Sequence, residues 1–451
     1  MKTLNDPISR PMQRAQQRGA ASLIVVMVLF FLMSLVAAYT SRNLIFEQRT
    51  SVNQYRATQA FEAAEAGLEW ALAQLNGGRI GAACLEAGAL ITNTSFRQRY
   101  LDINPVSGMV ASRTQSAAGA PPWRAGCIWN GAAWICSCPS DGDPVLPVPV
   151  GSGIFPAFWV TFSTVGVTRP GVVQVVANGC TRLNEDCLKS SAESSNIEGR
   201  ALVSTLVALK SSITTPPAAG MTVVGNVNIG GTLAVYNTEP DRGGITIQAG
   251  GMVGGGATDI STFTLRSIPG TPALASIALQ DTSLSALAGT PDRVFASMFG
   301  AWPNTYKLQP AAVRLPCPDT GCRQALSNAV AFNPDRVIWV EGDLTLETVG
   351  DVGSLPDPAN PAVAGPAVIV VTGNLLFTGA AAAGGVRIFG VVYTRSGNWT
   401  GAGELQGGAF VEGNLASTAA ASVVFNGPVI DTLRLRAGSF VRVPGSWRDF
   451  P

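Results

Sequence analysis

Residues Ala20 to Ser41 carry no charged side chain. The centre of that stretch, Leu23-Ile24-Val25-Val26-Met27-Val28-Leu29-Phe30-Phe31-Leu32-Met33, carries no polar one either. About twenty such residues in a helix cross the roughly 30 Å hydrocarbon core of a bilayer. The apolar run ends near Ala38, but nothing there ends the helix. Between Thr40 and Leu75 there is no Pro, and the single Gly is Gly67. Phe61, Ala64, Leu68, Ala71 or Leu72, and Leu75 recur at the three-and-four spacing of one helix face. Asn76-Gly77-Gly78 supplies a stop. The pattern predicts one helix from about Ala20 to Leu75, about 84 Å long. Its first half suits lipid and its second half is amphipathic.

Beyond the helix the period falls to two. Phe158–Val165, Val172–Ala177 and Ala201–Leu209 are rich in Val, Thr and aromatic residues and read as strands, with a turn over Gly166–Gly171. They predict a three-stranded antiparallel sheet packed on the second half of the helix. Cys127-Ile128-Trp129-Asn130-Gly131-Ala132-Ala133-Trp134-Ile135-Cys136 is nearly palindromic about Asn-Gly and predicts a hairpin. Thr214 to Gly220 reads as a linker. After it a short phrase recurs: Gly225-Asn226-Val227, Gly342-Asp343-Leu344, Gly373-Asn374-Leu375 and Gly413-Asn414-Leu415. Short β-branched runs flank each phrase, which suits a β-solenoid. The spacing is irregular, and a β-sandwich is the rival. Residues 257–335 interrupt the pattern, with helical spacing in part of Leu284–Phe299 and in Arg323–Val330. The expected class is α+β. The expected parts are a leader over 1–19, the helix over 20–78, an α+β domain over 79–217 and a Gly-rich solenoid-like domain over 218–451.

Composition removes several function classes. The chain has 30 Lys+Arg, 29 Asp+Glu and no His. Serine or cysteine catalysis that relies on His, His metal ligands and imidazole pH switches are therefore excluded. The balanced charge gives no footprint for nucleic acid. The 8 Cys include no CxxC pair, so a thiolate zinc site is not indicated and disulfides in an oxidising compartment are expected. Cys180–Cys187 and Cys317–Cys322 would close short loops. Cys127 opposite Cys136 would leave Cys84 and Cys138 to each other, but Cys84–Cys127 and Cys127–Cys138 stay open. Export follows from the N-terminus, where Lys2, Arg10, Arg14 and Arg18 outnumber Asp6 and hold that end in the cytoplasm. A cleavable secretory signal with a cut near Val36-Ala37-Ala38 is the simpler alternative.

Candidate chemistry is sparse. Glu341, Asp343, Glu347, Glu404, Glu412 and Asp431 are the carboxylates an acid–base pair would draw on. Glu341 and Glu412 each precede a Gly-Asn or Gly-Asp turn and are expected to stack on adjacent coils. The default reading is that all six are solvent-facing turn residues. Asp141-Gly142-Asp143 lacks the Asp spacing of known calcium loops. Trp129 and Trp134 suggest packing first and a sugar or receptor platform second. No cofactor, metal or enzyme activity is expected.

Arg18-Gly19-Ala20-Ala21-Ser22-Leu23-Ile24-Val25 resembles the processing site of a type IV prepilin, where a peptidase cuts after the Gly. Gln59-Ala60-Phe61-Glu62-Ala63-Ala64-Glu65-Ala66-Gly67-Leu68-Glu69-Trp70 resembles the helix signature of PilX-type minor pilins, and the K-type minor pseudopilin of type II secretion shares a related pattern. The resemblance covers about residues 15–76. It implies cleavage between Gly19 and Ala20 by prepilin peptidase. It implies assembly with other major and minor pilins, a tip adhesin as a further partner, and passage from the inner membrane, with periplasmic domains, to an extracellular pilus. Major pilins usually carry Glu at the fifth residue after the cut. Ile24 stands there instead, which suits a special position such as the tip. The alternatives are a tip-type pseudopilin of type II secretion and an anchored β-helical adhesin or polysaccharide-acting protein.

Overall fold

The computed structural model describes residues 18–88, 93–104, 106–113, 123–151, 153–165, 169–182, 187, 199–239, 243–255, 260–264, 276–317, 322–347, 349–357, 365–379, 385–418 and 420–449. Leader positions 1–17, part of the turn over Gly166–Gly171 and the inner residues of the Cys317–Cys322 loop lie outside that set. The chain forms two compact units, residues 1–58 and 59–451, taken here one at a time.

Helix α1 (Arg18–Leu75) contributes to both. In the first unit its apolar side chains are exposed, Leu23 and Ile24 at 60% and Phe30 at 72%. Its hydroxyls are turned inward: Thr40 donates to the Val36 and Ala37 carbonyls and Ser41 to Ala38. Such back-bonding lets a hydroxyl sit in an apolar helix without an unmet donor. The helix is long and apolar enough to cross a membrane.

In the second unit Ala60, Ala64, Leu68, Ala71 and Leu75 are buried, and Phe61 lies at the rim beside Trp447. Two short ribbons follow: β1 (Arg79–Ile80) with β2 (Thr94–Ser95), and β3 (Leu101–Ile103) with β4 (Val110–Ser112). Between them lies α2 (Phe96–Tyr100), which starts in a reciprocal cap between Ser95 and Gln98. The antiparallel sheet is built from β5 (Ala125–Trp129), β6 (Trp134–Ser137), β7 (Ala157–Thr164), β8 (Val172–Cys180) and β9 (Arg200–Ser211). The helix approaches β8 so closely that a Cβ at Gly179 would stand 2.0 Å from the Ala60 carbonyl oxygen. Only glycine permits that approach.

After β9 come the parallel strands β10 (Met221–Val223), β11 (Val227–Ile229), β12 (Leu233–Asn237), β13 (Ile247–Ala249), β14 (Val253–Gly254), β15 (Ile260–Thr264) and β16 (Ile277–Ala278). Helices α3 (Thr282–Ser285), α4 (Pro291–Phe299) and α5 (Pro303–Tyr306) interrupt them. Strand β17 (Ala312–Pro316) and α6 (Cys322–Phe332) follow. Then come β18 (Val337–Glu341), β19 (Leu344–Leu346), β20 (Gly350–Val352), β21 (Ala367–Phe377), β22 (Val386–Trp399), β23 (Gly403–Val411), β24 (Leu415–Ser417) and β25 (Ala421–Phe425). Helix α7 (Gly427–Arg436) and β26 (Gly438–Arg442) end the fold.

These strands form three parallel ladders. The first runs β16–β13–β10–β23–β22–β21–β18–β17. The second runs β14–β11–β24–β22–β21–β19. The third runs β15–β12–β25–β23–β22–β20. In each, an early strand (β10, β11 or β12) lies against a late one (β23, β24 or β25). The region therefore begins and ends in neighbouring strands. Helices α4 and α5 cover the first ladder with Phe295, Met298, Phe299 and Tyr306, and α6 places Leu326 and Val330 in the interior core.

The antiparallel sheet departs from expectation. It has six strands, β26–β9–β8–β7–β5–β6, and its edge strand β26 lies far beyond residue 217, paired with β9 through Gly438 opposite Ser211. The parallel region is thus inserted between two neighbouring strands of one sheet. Such insertions are tolerated where the inserted piece has adjacent ends.

A buried arginine secures this return. Arg97 is 1% exposed. Its Nε donates to the Leu75 carbonyl at 2.8 Å, one of the acceptors left open at the end of α1. Nη1 donates to the Asp335 and Arg436 carbonyls, Nη2 to Gly438, and the guanidinium lies over the Phe440 ring. Asn76 pairs with Phe440 in both directions, donating to its carbonyl at 2.9 Å and accepting from its N–H at 2.8 Å. Burial pushes the Arg97 pKa down to about 10, so it stays charged near neutrality. Arg97→Met leaves several buried carbonyls unmet and is expected to destabilise the protein by about 3 kcal/mol or more. Arg387→Met, which breaks an exposed pair with Asp351, is expected to change stability by less than about 1 kcal/mol. Thermal unfolding of the two detergent-solubilised variants beside the wild type checks both.

Candidate functional site

The first candidate surface is the exposed helix of residues 21–55. Gly19 and Ala20 fall inside α1. Ile24 gives this surface an apolar side chain where a carboxylate was looked for. Charge begins at Arg42 and continues with Glu47 and Arg49, all exposed. In the second unit Glu62, Glu65 and Glu69 line the outer side of the helix, and Glu69 accepts from Arg442 at 2.7 Å. The uncovered apolar face of residues 21–55 fits side-by-side packing of helices.

The four disulfides are Cys84–Cys138, Cys127–Cys136, Cys180–Cys187 and Cys317–Cys322. Cys127–Cys136 bridges β5 and β6, where the two residues face each other in register. Cys84–Cys138 ties the segment after α1 to the end of β6. Arg99 reinforces this tie by donating to the Ile80, Gly81 and Cys138 carbonyls. Trp129 and Trp134 meet edge to face at 5.9 Å, and Trp134 also packs on Phe158. Asp143 is engaged by Arg124 at 3.0 Å.

The recurring glycine phrases stack at one corner of the parallel region. Asn226 accepts from the Met252 N–H and donates its own N–H to Asn414, both at 2.8 Å. Asp343 accepts from the Asn374 N–H at 2.7 Å. Asn226, Asn414 and Asp343 thereby cap the backbone of the next strand, while Asn374 accepts from the Ser396 hydroxyl. The glycine before each capped residue leaves the room: a Cβ at Gly225 would stand 2.3 Å from Asn414 Oδ1, and one at Gly373 2.2 Å from Asp343 Oδ1.

Glu341 and Glu412 do occupy equivalent turns, but not adjacent ones. Glu341 ends β18 and Glu412 follows β23, and these strands are three ladder steps apart, with Thr372 and Arg395 between the two carboxylates. At about 4.8 Å per strand this is on the order of 14 Å, beyond the roughly 5–9.5 Å of glycosidase carboxylates. Glu404 is held by Gln406 Nε2 at 2.5 Å, and Asp343 belongs to the corner stack. Glu347 lies just past β19. Asp431 lines a cleft of about 1130 Å³ beside α7. The charges of that cleft serve the fold: Arg97 holds carbonyls, Asp335 meets Arg436 and Gln98, and Glu239 accepts from the Gly427 N–H. Among the described residues no group of three or more His, Cys, Asp or Glu is placed to hold a metal ion.

Glu412 is half-buried, as are Glu347, Glu404 and Asp431, while Glu341 and Asp343 are exposed. With Arg395, Tyr393 and Asp292 it lines a hollow of about 190 Å³, and with Arg395 alone of these a neighbouring one of about 150 Å³. Sequence reading named Glu412 but missed Tyr393, Arg395 and Asp292, because α4 is brought over the ladder by tertiary packing. Burial raises the Glu412 pKa, and Arg395 opposes that shift. A carboxyl whose folded pKa is raised binds its proton more tightly in the folded state, so stability is lost as pH rises from the ordinary 4.5 through the folded value. Glu412→Gln is therefore expected to raise the unfolding temperature at pH 7, and the gain is expected to vanish below about pH 4.5. Melting curves over pH 3.5–7.5 check the sign.

Residues 18–69 match the family model of the PilX N-terminal region. No curated protein matches the chain. Among solved structures, the chain is similar to the competence-associated pilin ComZ from Thermus thermophilus, with 13% identity, 87% of this chain and 97% of that chain covered, and a TM-score of 0.21. It is also similar to a glycosylated ice-binding protein from an Arctic yeast, with 11% identity, 48% and 94% covered, and a TM-score of 0.19. A third is ice-binding protein 1 of Shewanella frigidimarina, with 12% identity, 48% and 98% covered, and a TM-score of 0.21. Similarities of this size carry no argument about activity or ligand.

Proposed function

We propose that this chain, whose residues 18–69 are the N-terminal segment of a PilX-type minor pilin, is cut after Gly19 by a prepilin peptidase and joins a type IV pilus at or near its tip. The observation that carries the reading is the helix surface over residues 21–55. It combines an uncovered apolar face, the PilX match and the absence of any charge before Arg42. Before assembly the helix lies in the inner membrane with the rest of the chain on the periplasmic side. After assembly the same apolar face packs against the helices of other major and minor pilins, and the C-terminal domains are extracellular.

Tip placement is supported by Ile24. An amino terminus or carboxylate left unpaired in an apolar filament core is costly, and a subunit without the Glu avoids the second of these. The three parallel ladders read as coils of a solenoid, and in the proposal they present a binding surface, either to a tip adhesin or directly to a target. The role is structural and adhesive, without catalysis: Glu341 and Glu412, the pair that the sequence suggested, stand too far apart.

The decisive measurement is the N-terminal mass of the protein expressed with and without a prepilin peptidase. Loss of residues 1–19, leaving Ala20 as the terminus, is the expected result. An intact terminus, or a cut near Ala38, overturns the pilin reading in favour of an anchored or secreted surface protein.

A further inference from the structure

We propose that the hollow between the β7–β8 corner and the C-terminal segment binds a uronate unit of an acidic glycan through its carboxylate. The hollow measures about 410 Å³, within the roughly 300–1,000 Å³ of small-molecule sites. Arg169 and Arg448 stand on its walls, and no carboxylate does; Asp449, the residue after Arg448, is not among them. Neither guanidinium has a hydrogen-bond or ion-pair partner among the described residues. The cleft beside α7 and the hollow beside Asp292 and Glu412 carry both signs of charge. This one carries a single sign. Two cations sharing one hollow repel each other, and an anion between them removes that cost.

Both arginines are mounted on fixed main chain. Arg448 exchanges two main-chain hydrogen bonds with Ser204 of β9, each at 2.8 Å. Just before it, the Ser446 hydroxyl accepts from the Leu206 N–H at 3.0 Å and donates to the Val443 carbonyl at 2.6 Å. Arg169 opens the turn into β8, where Gly171 donates to the Gly108 carbonyl at 2.8 Å. The two forks therefore reach one hollow from opposite ends of the domain's sequence, and the main chain beneath them needs no ordering when a ligand arrives.

The remaining walls narrow the ligand. A guanidinium meets a carboxylate in two parallel bonds. Gln174, opposite Leu206 on the neighbouring strand, offers an amide that both donates and accepts. The Thr164 hydroxyl accepts from the Ser112 N–H at 3.2 Å and keeps its own proton to donate. Val165, Leu206 and Pro444 supply apolar surface. A uronate ring answers each of these with a carboxylate, hydroxyls and C–H faces. A neutral sugar leaves both cations without a counter-charge, and a cationic ligand meets two of them. Nucleic acid is held along a track of phosphate contacts, typically about six to ten, and two arginines in a chain of balanced charge make no such track. The inference stands apart from the N-terminal helix and holds whether or not the chain enters a pilus.

The test titrates the full-length protein, in a zwitterionic detergent, with galacturonate and mannuronate hexamers and with maltohexaose, by calorimetry. Saturable binding of at least one uronate hexamer is expected, weakening as salt is raised, with none for maltohexaose. Arg169→Gln and Arg448→Gln are each expected to bind about tenfold or more weakly, because charge-assisted bonds are lost. Arg387→Gln removes a positive charge from the parallel region and is expected to change affinity by less than about twofold. All three positions are exposed, so the variants are expected to melt with the wild type, and a loss of affinity is not a loss of fold. Four outcomes overturn the proposal: no saturable binding of either uronate hexamer up to about 10 mM; affinity unchanged in both Arg169→Gln and Arg448→Gln; an equal loss in Arg387→Gln; or tighter binding of inorganic phosphate, an oligothymidylate or phosphatidylglycerol vesicles that is lost in Arg448→Gln, which assigns the arginines to a phosphate.

Discussion

The second unit depends on what satisfies the open end of α1. A helix leaves its last carbonyls without partners, and here that end is buried. Arg97 and Asn76 meet the need with groups that simultaneously hold β26, the end of α7 and the Asp335 carbonyl. One guanidinium thus joins four stretches of chain separated by more than three hundred residues. Arg79 and Arg99, also buried, donate to other main-chain carbonyls nearby. In a chain with 13% charged residues, three of its arginines are placed on backbone oxygens rather than on solvent or carboxylates. A Lys would not serve, because a point charge cannot fork to carbonyls in several directions.

The parallel region relies on repetition instead. At the Gly-Asn corner the turns at Asn374, Asn226 and Met252 are each closed by the side chain of the neighbouring turn, so the stacking of one strand fixes the height of the next. This device needs a glycine for clearance and a short amide or carboxylate for reach. It does not need equal spacing along the chain: the phrases at Gly342 and Gly373, 31 residues apart, stand on neighbouring strands, and the one at Gly413, 40 residues further on, stands two strands beyond, with β22 between.

The sequence was legible where a local pattern decides the outcome. The apolar run, the Asn-Gly hairpin with Cys127 facing Cys136, and the helices within residues 257–335 follow from periodicity and turn chemistry. The rest was set at long range. Gly438-Ser439-Phe440-Val441-Arg442 is five residues long, and nothing local says that it pairs with Ser211. Ser95-Phe96-Arg97-Gln98-Arg99-Tyr100 carries two arginines and is wholly buried. Its one local signal was the Ser…Gln cap. The hollow beside Glu412 escaped notice for the same reason, since Asp292 and Tyr393 are a hundred residues apart.

The insertion between β9 and β26 also has a mechanical meaning. The parallel region leaves the sheet at Ser211 and returns at Gly438, and those two residues are opposite each other. A pull on that region draws both strands in the same direction, so the ladder between them carries no shear. The load falls on the next ladder inward, where β8 and β9 are paired over nine residues. Those nine pairs must slip together rather than peel one by one. A domain attached in this way yields late under tension, which is the demand on anything held out at the end of a fibre.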